Sequence, residues 1–95
     1  MTSEALFLTS PRAILTELGD GTGVVLELDT KFYFNLNRTG VAVWKALAAK
    51  PDGMSALALA ETLTQHFEVE RDAALADVTA LLGAMADEGL VKPRA

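Results

Sequence analysis

The sequence contains no cysteine, which excludes disulfides, thiolate zinc sites and cysteine nucleophiles. It has one histidine, His66. A catalytic imidazole needs an orienting partner, and the position of His66 near the end of a helical stretch makes capping that end the simpler account. No run of about 18 apolar residues occurs, so no membrane span is expected. The opening Met1-Thr2-Ser3-Glu4-Ala5 lacks a basic region ahead of an apolar stretch and is not a secretory signal. A cytoplasmic location is therefore expected. None of Ser3, Ser10 and Ser55 sits in a Gly-x-Ser-x-Gly elbow. No EF-hand spacing is present. The glycines of Gly19-Asp20-Gly21-Thr22-Gly23 do not open a helix, which argues against a phosphate cradle. These absences leave no catalytic residue, metal ligand or cofactor to assign, and the chain reads as a protein that is not an enzyme.

What is present fits one domain over residues 1–95, with a core from about 12 to 91. Apolar residues make up 51% of the 95, but 16 residues are alanine, which is small and favours helix. The excess permits an exposed docking surface without requiring one.

The chain divides by pattern. Ala13-Ile14-Leu15-Thr16-Glu17-Leu18 reads as a strand, and the glycine-rich segment after it as a hairpin loop. In Val24-Val25-Leu26-Glu27-Leu28-Asp29, Val24, Leu26 and Leu28 face one side and Val25, Glu27 and Asp29 the other. Thr30-Lys31 leads tightly into Phe32-Tyr33-Phe34-Asn35-Leu36, whose aromatics suit a pleated surface. Leu6-Phe7-Leu8 either adds an edge strand or packs loosely, with Pro11 separating it from the rest.

After Asn37, a good helix N-cap, the period becomes helical. A first helix over residues 38–49 places Val41, Trp44 and Ala48 on one stripe and stops before Pro51-Asp52-Gly53. Ser55 caps a second helix with Leu59, Leu63 and Phe67 on its buried face. A third helix over residues 71–88 buries Leu75, Val78, Leu82 and Met85, and Gly89 stands where a left-handed C-cap belongs. Leu90-Val91 folds back and Pro93 ends the ordered chain. The fold class is α+β and winged helix-turn-helix-like: a three-stranded antiparallel β-meander followed by three α-helices.

Charge separates the partners such a fold takes. Residues 31–50 carry Lys31, Arg38, Lys45 and Lys50 and no acid, whereas residues 51–91 carry eight acids against Arg71. In a DNA-binding winged helix the third helix enters the major groove. Here it carries Asp72, Asp77, Asp87 and Glu88, which repel phosphate. A net charge of −5 points the same way. Neither nucleic acid nor membrane is expected as a partner.

Two stretches resemble the PqqD-like family. One is Leu28-Asp29-Thr30-Lys31-Phe32-Tyr33-Phe34-Asn35-Leu36-Asn37-Arg38-Thr39-Gly40-Val41-Ala42-Val43-Trp44. The other, Asp77-Val78-Thr79-Ala80-Leu81-Leu82-Gly83-Ala84-Met85-Ala86-Asp87-Glu88-Gly89-Leu90-Val91, is similar to that family's final helix and its Gly-Leu-Val ending. The resemblance spans about residues 24–91. It implies a recognition element that binds the leader of a ribosomally made precursor peptide and presents it to a modifying enzyme, either a radical SAM enzyme or a leader peptidase. It further implies that the leader is held as an extra antiparallel strand on the third strand, alongside the third helix. On that basis the peptide-binding residues are Lys31, Phe32, Tyr33, Phe34 and Asn35, with Asp77, Leu81, Ala84 and Glu88 on one stripe of the third helix.

Asn35 departs from the small residue, often glycine, that commonly follows the aromatic pair, and Phe32 adds a third aromatic. The quinone-cofactor members carry a less aromatic strand, so a different peptide product is expected. Without a fused enzyme domain the chain is expected to act in trans, as a monomer or weak homodimer. Two further classes stand beside this one: a winged-helix DNA-binding regulator, disfavoured by charge, and a homo-oligomerising adaptor whose open edge pairs with another copy.

Overall fold

The computed structural model of the chain describes residues 5–94. Among them it places six strands and three helices. These are β1 (Leu6–Thr9), β2 (Ala13–Glu17), β3 (Gly23–Glu27), β4 (Tyr33–Leu36), α1 (Arg38–Ala48), β5 (Met54–Ser55), α2 (Ala56–His66), α3 (Arg71–Asp87) and β6 (Val91–Pro93). The expected meander is there, with strand order β2-β3-β4 and antiparallel pairing throughout. A second antiparallel sheet accompanies it, ordered β5-β1-β6. Leu6-Phe7-Leu8 is thus the middle of a sheet, not an edge. Pro93 does not end the ordered chain; it pairs with Phe7.

The helix ends form where local chemistry places them. Asn37 and Ser55 cap α1 and α2, accepting from the N–H groups of Gly40 and Ala58. At the end of α3, Gly89 adopts φ 76°. The Gly89 N–H donates to the Ala86 carbonyl and the Leu90 N–H to the Met85 carbonyl, the paired bonds of a Schellman cap. His66 closes α2, but among the described residues its imidazole makes no hydrogen bond, so any contribution to that end comes from charge and not from side-chain capping.

The core lies between the meander and the helices. Val25 and Leu36 from the sheet meet Val41, Val43, Trp44 and Leu47 of α1, Leu59 and Leu63 of α2, and Val78, Leu82 and Met85 of α3. Leu75 and Phe67, both expected to be buried, are half-buried against this cluster.

The meander presents Val25 and Glu27 to the core, whereas Val24 and Leu26 remain partly exposed. Glu27 tolerates burial because its Oε1 accepts from the Asp29 and Thr30 N–H groups at 2.6 and 2.9 Å. In the β2–β3 loop, hydrogen bonds from the Thr22 hydroxyl and Thr22 N–H hold the Asp20 carboxyl below the usual range.

Candidate functional site

β4 is an edge strand: β3 pairs with one side of it, and among the described residues no strand pairs with the other. Its register fixes what the free side offers. The Glu27 N–H donates to the Phe32 carbonyl at 2.9 Å, so Glu27 and Phe32 face each other as a hydrogen-bonded pair. Such pairs alternate along an antiparallel ladder. Val25 with Phe34 and Gly23 with Leu36 are therefore also bonded inward. The backbone N–H and C=O of Tyr33 and Asn35 are left pointing away from the sheet. Tyr33, 65% exposed, places its ring on the outer face with Leu26 opposite. Phe34 packs toward the core, and its ring lies 6.5 Å from that of Phe32.

The chain turns from β4 directly into α1 at Asn37, whose Oδ1 accepts from the Gly40 N–H at 2.8 Å and the Thr39 hydroxyl at 3.0 Å. Gly40 permits this tight turn. A Cβ there would lie 3.0 Å from Leu36 Cδ2 and 3.2 Å from Asn37 Oδ1, closer than packed side chains sit.

Across from this junction runs α3. A groove of about 290 Å³ opens between the two. Its floor is the buried Val43, Leu63 and Val78 with half-buried Leu81, and its rim is Asn37, Thr39 and Asp77. Of the residues expected to bind peptide, Asp77 and Leu81 line this groove. Ala84 and Glu88 are exposed farther along α3 and do not line it. Phe32 and Lys31 lie on the loop before β4, and Tyr33, Phe34 and Asn35 on the strand itself; none of these five lines the groove. The wall facing α3 is the β4–α1 junction instead. Asn37 was legible as a cap residue and Thr39 only as part of the signature stretch, and nothing in their spacing marks them as a rim.

The rim carries the Asp77 carboxylate, with the Thr39 oxygen as a further acceptor and the Asn37 amide nitrogen as a donor. The described ion pairs join Arg12 to Asp29, Lys45 to Glu17 and Arg71 to Glu61, and Asp77 belongs to none of them. On the opposite flank of α3 a second, apolar groove of about 490 Å³ runs between Phe7, Leu57 and Leu75. Among the described residues no cluster of three or more histidine or acidic side chains forms a metal site, and no helix is long and apolar enough to cross a membrane.

The family model described as coenzyme PQQ synthesis protein D (PqqD) matches residues 22–91. The chain belongs to the PqqD family. Two solved structures resemble this PqqD-family fold closely. One is TbiB1 in complex with the TbiA(beta) leader peptide, with a TM-score of 0.75 and 24% identity over 93% of this chain and 98% of that one. The other is a lasso peptide synthetase B1 complexed with the leader peptide, with a TM-score of 0.74 and 30% identity over 94% of this chain and 100% of that one. No curated protein matches the sequence.

Proposed function

We propose that this PqqD-family chain binds the leader segment of a ribosomally made precursor peptide as an added strand on β4 and presents it to a modifying enzyme. The observation that carries this reading is the open edge of β4. Tyr33 and Asn35 offer two outward sets of backbone donors and acceptors, beside a groove in which side chains are read. An open edge invites unwanted pairing, and a partner that adds a strand satisfies those groups. The two structural neighbours are leader-peptide complexes, which supports the same role. The role is non-catalytic: the chemistry belongs to the partner, a radical SAM enzyme or a leader peptidase, and the setting is the cytoplasm, where ribosomal precursors are made. The exposed Asp72, Asp77 and Asp87 of α3 disfavour duplex DNA in the same position.

The test is specific to the edge. Proline fits an edge strand where its missing N–H faces outward, so Asn35→Pro should leave the inward ladder and the fold intact. Isothermal titration with the leader encoded beside this gene should show about a tenfold loss of affinity for Asn35→Pro, the weight of one hydrogen bond. Asn35→Ala should bind as the parent does. Equal binding by both variants would remove β4 from the interface.

A further inference from the structure

The groove between the β4–α1 junction and α3 has a chemistry of its own. We propose that it is a subsite for one long cationic side chain, lysine or arginine, that precedes the strand-pairing segment of the bound peptide. The inference rests on the peptide-recognition reading above and specifies the chemistry of its ligand.

Three observations lead to it. The Asp77 carboxylate stands exposed at the rim and takes part in none of the described ion pairs. The nearest strongly basic group on the junction, Arg38, lies against Gly21 of the β2–β3 loop, where a Cβ would be 2.9 Å from its Nε, and does not line the groove. Asp77 thus brings a negative charge to the groove with no described cation beside it.

The second observation is the polarity of the rest of the rim. The Thr39 hydroxyl spends its proton on Asn37 Oδ1, and that same oxygen takes the Gly40 N–H. The Thr39 oxygen keeps acceptor capacity with no proton left to give. The Thr39 oxygen and the Asp77 carboxylate accept from a head group with donors only, as in lysine or arginine, while the Asn37 amide nitrogen remains a donor, so the preference rests on the charge of Asp77.

The third is the floor. Val43, Val78 and Leu81 supply an apolar bed for the methylene stem of a basic residue, which buries its carbons and keeps its charge at the surface. A short polar side chain would leave that bed uncovered.

Position follows from topology. The groove lies beyond Leu36, past the C-terminal end of β4. Every pairing in the β2-β3-β4 sheet is antiparallel. A strand added in the same sense runs opposite to β4, so the residue reaching the groove comes before those that pair with Tyr33 and Asn35.

A position-scanning array of synthetic peptides, probed with the intact chain, tests this, with the best binders titrated in solution while backbone amide shifts are followed. Binders should shift Tyr33 and Asn35 and should prefer lysine or arginine over norleucine at one position ahead of the pairing segment. Asp77→Asn should weaken the lysine peptide by about fivefold, the upper range for an exposed pair, and leave the norleucine peptide unchanged. Asp77→Lys should reverse the preference toward glutamate. Peptides that bind at β4 without a basic preference, or with one that Asp77→Asn does not alter, would overturn the subsite alone. An array with no binder that shifts β4 would overturn the peptide-recognition reading beneath it.

Discussion

Lys31 is the one non-glycine residue among those described whose backbone turns left-handed, at φ 64°. The turn is imposed from both sides: the Lys31 N–H donates to the Glu27 carbonyl, while the Glu27 carboxylate gathers the Asp29 and Thr30 N–H groups. An L-residue pays roughly 1–2 kcal/mol for this conformation, part of which glycine would return as chain entropy on unfolding. Lys31→Gly should therefore raise stability by about 0.5–1 kcal/mol, read as an upward shift in the denaturant midpoint at constant slope. Trp44 stands at the other extreme, 4% exposed in the centre of the core. Trp44→Ala should cost about 3–5 kcal/mol, much of the ~5–15 kcal/mol that holds a domain together, and its urea midpoint should fall accordingly. Residues whose role is set by near neighbours were legible in the sequence. Asn37, Ser55 and Gly89 each act within a few positions of themselves, and each caps as expected. Glu27 was not legible: its burial depends on loop N–H groups that the alternation of Val24, Leu26 and Leu28 says nothing about.

At the scale of elements, α3 separates two grooves of different character. Leu81 lies on the flank facing the β4–α1 junction and Leu75 on the flank facing Phe7 and Leu57; both are half-buried against the core. Removing either side chain should cost a similar ~1–2 kcal/mol by lost burial. Only Leu81→Ala should also weaken leader binding, by about tenfold, while Leu75→Ala binds as the parent does once both are shown folded by circular dichroism. Equal losses of affinity would place the peptide elsewhere on the helix. The helical period was sufficient to phase α3, since Val78, Leu82 and Met85 are buried as expected. It was not sufficient to bound the groove. Ala84 and Glu88 share the stripe of Asp77 and Leu81, but the facing wall stops at the junction before reaching them.

For the whole molecule, the second sheet is the feature that sequence patterns missed. β5 has two residues and β6 three, too short to show alternation. Their partner β1 lies far away in the chain, pairing Leu6 with Ser55 and Thr9 with Val91. Such pairing is decided by tertiary packing and not by local propensity. β1 nonetheless joins the start of α2 to the end of α3 and packs against α1. Deleting residues 1–9 should leave β5 and β6 without a ladder partner and uncover Leu90 and Val91, both buried in the intact fold. Two isolated strands have little stability of their own, so the shortened chain should lose its cooperative thermal transition. A sharp melt at the parent temperature would show that the second sheet is dispensable.

The pairing of β1 with β6 has a consequence for how such a unit is used. The first strand of the fold lies beside the last, with Phe7 opposite Pro93, and neither belongs to the sheet that carries β4. The chain enters and leaves through one doorway, while the edge proposed for the leader sits on a different sheet. A unit built this way is suited to grafting: it can be spliced into a loop of a larger enzyme, or have its ends joined and be reopened elsewhere, as domains with adjacent ends tolerate. Covalent tethering of an enzyme at the β1–β6 side would then present the bound leader to it at a local concentration set by the linker.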